Sequence, residues 1–572
     1  MNTQMPIGVD DFKEVRENYY FVDKTHFIQS LIDGHSKVTL LTRPRRFGKT
    51  LTMSMLDYFF SLERKPESLH LFDGLQIARA GTDYMKHRGQ YPVLFMTFKG
   101  IQNDTWDLAF NAFQLVIQKE FQQHRYLLDS PELAPEEKQL YSRFLDNTAT
   151  LAEYQISLLY LCEYLYRYYK IRPIILIDEY DAPIQNAYNH GFYDTAISYF
   201  RTFYNNTLKG NEFLNFAILT GVLRIAKESI FSGLNNLRVC SILDNAYADV
   251  MGFTEGEVTQ IAKDTNEDQA LPALKKWYDG YRFGNIDIYN PWSIINFFAE
   301  RTADDYWVNT SSNDIIQHMM QRNAKSQEKN LLTLLHGGTV AAIIREGLIY
   351  KDITQNKDGL YTLLLMTGYL TAVQNTTVPN GRLCQLKIPN EELTHVFQSE
   401  ILNRLCAESG DVSDLYMMMN HLLSGQVTAF SEELQTYIEQ LVSVYDTANK
   451  ESFYHGLVLG MTALVLNDYY VESNRESGYG RFDIAIFPRR PDLPGVILEF
   501  KVAPTENDLK EKAREALQQI EKQQYMAEFK QKQIPSVLKY GISFCRKRIH
   551  VPCKIETDVS KKCSRLFVVD RL

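Results

Sequence analysis

The sequence predicts an α/β protein of several domains, and three observations lead there. Residues 1–235 alternate short apolar, β-branched runs with amphipathic stretches of helical period. Residues 236–415 keep the helical period and are interrupted by turn clusters such as Asp279-Gly280-Tyr281 and Asn290-Pro291. Residues 416–572 give a helical lead-in, two short strands, a long amphipathic helix and further short strands. A chain of 572 residues is too long for one hydrophobic core. The three segments are therefore expected as domains, the middle one a helical lid or winged-helix-like connector.

Composition narrows the class. The chain is 45% hydrophobic and 23% charged, ordinary for a soluble globular protein. Its 35 Tyr and 32 Phe are spread along the chain, which suits core packing better than a local binding platform. Met1 to Phe12 lacks the basic and apolar regions of a signal peptide. The longest apolar stretch, Gly456 to Leu466, is too short to cross a bilayer, so a cytoplasmic protein without a membrane partner is expected. Seven scattered cysteines form no CxxC pair and read as reduced thiols; His550, Cys553 and Cys563 match no standard zinc spacing. The net charge is −9, yet Lys501 to Leu572 holds 16 Lys+Arg against 9 Asp+Glu. A basic end on an acidic body suits a nucleic-acid partner, and a solvated basic helix face would carry the same charge.

In the first segment, candidate strands are Val38–Thr42, Val93–Phe98, Ile174–Ile177 and Phe216–Leu219. Val38–Thr42 leads into Arg43-Pro-Arg-Arg-Phe-Gly-Lys-Thr50, then into a helix with Met55, Leu56, Phe59 and Phe60 inward. Strand, loop ending in Gly-Lys-Thr, then helix is the context of a phosphate-binding P-loop. Gly48 would let the backbone approach phosphate, Lys49 would reach the β- and γ-phosphates, and Thr50 would ligand Mg²⁺. Arg46 is taken as a further contact to the nucleotide. The general pattern wants Gly where Arg43 stands. The strand Ile174–Ile177 ends in Asp178-Glu179, as a Walker B element does. Asp178 would hold Mg²⁺ through water and Glu179 would polarise the attacking water. Thr220, at the end of the next strand, and Arg224 beyond it would sense the γ-phosphate; Arg224 equally suits a structural ion pair.

These residues, with Pro6-Ile-Gly-Val-Asp-Asp-Phe12, Tyr20-Phe-Val-Asp-Lys-Thr25, Asp178-Glu-Tyr-Asp181, Thr220-Gly221 and Lys227 to Asn236, resemble the AAA-ATPase-like family of bacteria and some archaea. In that family the RPRRFGK form of the loop is usual, so Arg43 departs from the general rule only. Trp277-Tyr-Asp-Gly-Tyr281, Tyr289-Asn-Pro-Trp292 and Leu364 to Thr371 also fit. The resemblance spans nearly the whole chain and implies two catalytic cores without naming a substrate.

In the last segment, Gly480 to Ile486 alternates so that Phe482, Ile484 and Ile486 share one face and Asp483 takes the other. Gly495 to Val502 alternates too, with Val496, Leu498, Phe500 and Val502 toward a core and Glu499 and Lys501 opposite. Asp483 and Glu499 can hold one or two Mg²⁺ (or Mn²⁺) ions. Lys501 can orient or help deprotonate the metal-bound water. Thr505-x-x-Asp508 is a capping signal for a helix whose inner face is Leu509, Ala513, Ala516 and Ile520. Strand, strand, helix is the order of the PD-(D/E)XK nuclease core, and the family resemblance points to the same positions. Gln519 resembles the helix glutamine of several such nucleases, and Glu451 the acidic residue of the preceding helix. His455 is better explained as a packed histidine than as a general acid.

The expected function is an ATP-regulated, Mg²⁺-dependent nuclease, with DNA favoured over RNA and homo-oligomerisation left open. The alternative is a nucleotide-switched sensor or scaffold, or a DNA-binding ATPase, with little or no nuclease turnover.

Overall fold

The computed structural model describes residues 3–224, 236–307, 337–345, 357–397, 412–441, 483–522, 526–532 and 534–557, with shorter pieces at 330–335, 347, 454–481 and 563–567. It divides into two compact units, Met1–Ser311 with Thr339–Leu393 and Ser312–Gly338 with Thr394–Leu572.

The first unit is built on a five-stranded parallel sheet: β1 Val38–Thr42, β2 Val93–Thr97, β3 Ile174–Asp178, β4 Ala217–Gly221 and β5 Leu237–Cys240, in the order β2-β3-β4-β1-β5. The four inner-sequence strands fall where the apolar runs predicted them. The fifth, just past residue 235, pairs with β1 from Val38↔Leu237 to Leu41↔Cys240. β1, β3 and β4 are buried along their whole length, as central strands with both faces covered must be. Helix α1, Lys49–Phe60, follows β1 directly, and Met55, Leu56, Phe59 and Phe60 are all buried beneath it. The aromatic excess becomes core: Phe113 of helix α2, Trp106–Gln123, meets Phe200 and Phe203 of α3, Tyr193–Leu208, at 5.4 and 5.0 Å in edge-to-face pairs.

Residues 253–289 add a small antiparallel sheet, β6 Phe253–Thr254, β7 Tyr281–Phe283 and β8 Ile286–Tyr289, ordered β6-β8-β7. Asn290 then caps helix α4, Pro291–Glu300, by accepting from the Trp292 N–H at 3.0 Å. A second antiparallel sheet, β9 Val340–Ile344, β10 Thr371–Val378 and β11 Gly381–Lys387, is ordered β10-β11-β9. The middle of the chain is thus helix-rich, as expected, but carries two small sheets as well. Their hairpin turns, Gly284-Asn285 and the Asn380-Gly381 pair, were the available signals.

The second unit centres on β12 Tyr469–Ser473, the short hairpin β13 Glu476–Ser477 and β14 Gly480–Arg481, then β15 Ile484–Pro488, β16 Gly495–Val502, β17 Ser536–Cys545, β18 Arg548–His550, β19 Cys553–Thr557 and β20 Cys563–Phe567. The main sheet runs β12-β15-β16-β17-β19-β20, with β18 also on β17. β15 pairs antiparallel with β16, and β16 pairs parallel with β17 across helix α5, Leu509–Lys522. One sheet face, with Ile484, Ile486, Val496, Leu498 and Phe500, joins a core with the helix Val427–Leu441. The other, with Ala485, Phe487 and Ile497, packs on Ile520 of α5.

The packing of α5 on β17 is close. A Cβ on Gly541 would lie 2.4 Å from the Ala513 carbonyl oxygen and 2.8 Å from the Leu517 nitrogen, both helix backbone. Gly541→Ala is therefore expected to destabilise the second unit by about 2–3 kcal/mol, read as a lower denaturant midpoint for its unfolding transition. Among the described residues no helix is long and apolar enough to cross a membrane.

Candidate functional sites

In the first unit the chemistry gathers at the carboxyl ends of the parallel strands. Gly48 is in the left-handed region at φ 85°, turning the chain into α1. Lys49 is buried, and its Nζ donates to the carbonyls of Arg43 at 3.2 Å and Pro44 at 2.9 Å. Burial pulls its ammonium below the ordinary range, and Glu179, Asp178 and Asp181 pull it back up. The Thr50 hydroxyl donates to Asp178 Oδ2 at 2.7 Å, and the Thr220 hydroxyl donates to Asp178 Oδ1 at 2.6 Å. The hydroxyl and carboxylate that would hold a nucleotide-bound Mg²⁺ are thus already in contact, so these residues fit the ion and its nucleotide. Glu179 follows at φ 53°, a strained backbone for a non-glycine residue, and burial raises its carboxyl. Asp181 accepts the N–H groups of Val222 at 2.9 Å and Leu223 at 2.8 Å, fixing the turn that leads from Thr220 to Arg224. Arg224 is half-buried, and its Nε has no hydrogen bond among the described residues.

Arg43, the departure from the general loop pattern, has a structural explanation. It is fully buried; its Nη1 donates to the Thr42 and Cys240 carbonyls at 2.8 and 3.0 Å, and its Nη2 to the Tyr247 carbonyl at 2.5 Å. It ties the loop to β5, work a glycine cannot do. Desolvation lowers it to about 10, still protonated at neutral pH. Arg46 has φ 68°, and its guanidinium lies 4.1 Å from the Trp292 ring centre. Phe47 packs edge-on against Tyr281 at 5.1 Å and near Phe283 at 5.2 Å. The middle segments named by the resemblance therefore contact the loop itself, which sequence reasoning had not placed.

Glu392 was also missed, because a lone glutamate gives no signal. It is fully buried, and it accepts from the Ser293 hydroxyl at 2.9 Å and the Trp307 N–H at 2.7 Å. Burial pushes its carboxyl up from 4.5 to about 8. A raised acid holds its stabilisation as the neutral form, complete below pH 4.5 and lost as the pH rises through about 8. The chain is expected to lose on the order of a few kcal/mol of stability across that window. Urea melts of Glu392→Gln at several pH values should show a clearly flatter decline.

In the second unit Asp483, Glu499, Lys501 and Gln519 come together. Asp483 Oδ2 accepts the Phe500 N–H at 2.7 Å, which draws its carboxylate beside Glu499. Lys501 Nζ is 3.6 Å from Glu499 Oε1. The Gln519 amide, reaching in from α5, donates to the same oxygen. Glu499 is only 2% exposed, and its Oε2 has no hydrogen-bond partner among the described residues. Burial, then the neighbouring Asp483 charge, raises its carboxyl to about 8, while Lys501 acts to lower it. An orphaned buried carboxylate oxygen beside a second carboxylate fits a divalent cation, whose charge would remove this cost. Glu451, His455 and most of the 227–236 segment lie outside the described residues. Of the basic stretch Arg546-Lys-Arg548, Arg548 pairs with Glu439 at 3.1 Å and Lys547 donates to the Glu439 carbonyl at 2.9 Å. Both contacts are exposed enough to exchange for phosphate. Lys561 and Lys562 lie outside the described residues.

Comparison with known proteins agrees with this division. Residues 6–231 match the family described as "Predicted AAA-ATPase". Residues 449–552 match the PD-(D/E)XK nuclease superfamily. An Azotobacter chroococcum mcd 1 protein described as "Uncharacterized protein in vnfD 5'region" is 26% identical over 559 residues, covering 95% of this chain and 96% of its own.

Proposed function

From the premise that the chain joins an AAA-ATPase-like domain to a PD-(D/E)XK nuclease-superfamily domain, we propose that it is an ATP-regulated, metal-dependent nuclease acting on nucleic acid, with DNA favoured over RNA. The observation that carries this reading is the buried, unpartnered Oε2 of Glu499 beside Asp483 and Lys501. A divalent ion bound there supplies Lewis acidity, lowering the pKa of water and offsetting phosphate charge. Asp483 and Glu499 would be its ligands. Gln519 holds the Glu499 rotamer through Oε1 and leaves Oε2 for the metal. The Phe500 N–H anchors Asp483 through Oδ2. Lys501, a quarter exposed, faces solvent and can orient a water or the scissile phosphate.

At the nucleotide site Gly48, Lys49, Thr50 and Arg46 would receive the phosphates, and Thr50 with Asp178 would hold the accompanying Mg²⁺. Glu179 polarises the water, while Thr220 and Arg224 respond to the γ-phosphate. Lys49 must leave the Arg43 and Pro44 carbonyls to engage phosphate, and Arg46 and Phe47 rest on Trp292 and Tyr281. Nucleotide binding would therefore be felt in residues 281–292 of the same unit. Cleavage of labelled DNA and RNA with ATP, ADP or no nucleotide tests the proposed regulation by ATP. A nucleotide-dependent rate supports it; equal rates in all three conditions refute it.

A further inference from the structure

The edge of the first unit's sheet holds a polar group that the nucleotide site does not use. A cavity of about 500 Å³ lies along β2 between α1 and α2. Val93, Phe95 and Val116 form its apolar walls, and Asp57, Glu63 and Glu120 bring carboxylates to it. Two of these acids are committed. Asp57 is bridged by Arg64 Nε at 2.9 Å. Glu63 accepts from the Tyr126 hydroxyl at 2.9 Å and lies 2.9 Å from His124 Nδ1. Glu67 and Lys119 complete the charged groups at the cavity.

Glu120 differs. It is 2% exposed, and the Phe95 backbone N–H on the edge strand hydrogen-bonds to its carboxyl. Its Oε2 has no partner among the described residues. Capping an edge strand requires one acceptor oxygen and not a charge, so a glutamine or threonine would serve. A glutamate buried with a spare oxygen, near Asp57 and Glu63, is costly unless a cation meets it.

We propose that this cavity is a binding site for a small aliphatic amine, its ammonium held by Glu120 Oε2 and its hydrocarbon stem lying on Val93, Phe95 and Val116. Two features select that class. The site offers one orphan carboxylate oxygen, which suits a single ammonium head. The apolar walls then reward a carbon chain, and the cavity volume lies in the range of small-molecule sites. Burial raises the Glu120 carboxyl well above the ordinary range, and an ammonium beside it would act to lower it.

The test is thermal unfolding of the full chain with n-butylamine, cadaverine or neutral n-butanol, at matched ionic strength. Either amine at millimolar concentration is expected to raise the midpoint of the first unit by about 2 °C or more, with n-butanol giving no shift. Glu120→Gln keeps an acceptor for Phe95 and should unfold no earlier than the parent without amine, yet lose the amine-induced shift. Val116→Trp fills the cavity with Glu120 left in place and should lose it too, which decides the matter should Glu120→Gln fail to fold. No amine shift in the parent chain, or an undiminished shift in a folded variant, overturns the proposal.

Discussion

Glu499→Ala is expected to reduce metal-dependent phosphodiester cleavage by about 10³-fold or more, with ATP hydrolysis unchanged. The carboxylate removed is the one with a buried oxygen free to bind a cation, and it lies in a different compact unit from the nucleotide loop. Losing several kcal/mol of charge stabilisation at the scissile phosphate gives that order of effect. Lys501→Ala should also abolish cutting, since its ammonium, 3.6 Å from Glu499, lies beside the proposed metal site. The two losses should differ in their metal dependence. Raised Mn²⁺ cannot restore a missing ligand, so Glu499→Ala should stay inactive, whereas metal binding by Lys501→Ala should persist in calorimetry. Glu499→Gln provides a fold control, because Gln519 can still reach its side-chain oxygen.

Lys49→Ala should abolish ATP binding, and Glu179→Gln should keep binding but stop turnover. Both are readable by equilibrium binding of a labelled nucleotide alongside phosphate release. Among the described residues Lys49 is a buried cation hydrogen-bonded to two loop carbonyls, and phosphate oxygens would be far stronger partners. Glu179 lies next to Asp178 but has no part in the Thr50–Asp178–Thr220 contacts. Its loss should therefore leave the proposed Mg²⁺ ligands in place. Normal nucleotide affinity in Lys49→Ala would remove the phosphate-loop reading.

The parts of this protein legible in the sequence are those where one face of an element carries the pattern. Gly495 to Val502 alternates because one sheet face enters a large core, and that alternation places Glu499 and Lys501 together. The inner face of α5, Leu509, Ala513, Ala516 and Ile520, was legible for the same reason and is buried. The meeting of Asp483 with Glu499 was not legible in full. It needs the register Ile484↔Leu498, which no local pattern specifies. Gln519 reaches Glu499 only because Gly541 lets α5 sit against β17, a contact between residues far apart in sequence.

Short edge elements were the main loss. β5 has four residues, one of them an arginine, and it lies at the sheet edge, so its apolar signal is weak. Arg43 read as a departure from a rule because its partners, the carbonyls of Cys240 and Tyr247, lie some two hundred residues onward. The contact of Arg46 and Phe47 with Trp292 and Tyr281 was hidden for the same reason.

The central claim, that Asp483, Glu499 and Lys501 form a metal-dependent cleavage site, is tested most directly by one side-by-side assay. Purified full-length protein and its Glu499→Ala variant would be incubated with end-labelled single- and double-stranded DNA and RNA, ATP, and Mg²⁺, Mn²⁺ or EDTA. Cleavage by the parent chain with Mg²⁺ or Mn²⁺, its loss in EDTA, and its absence from the variant are the predicted results. Equal cleavage by the variant, or no cleavage of any substrate by the parent with either metal, would contradict the account.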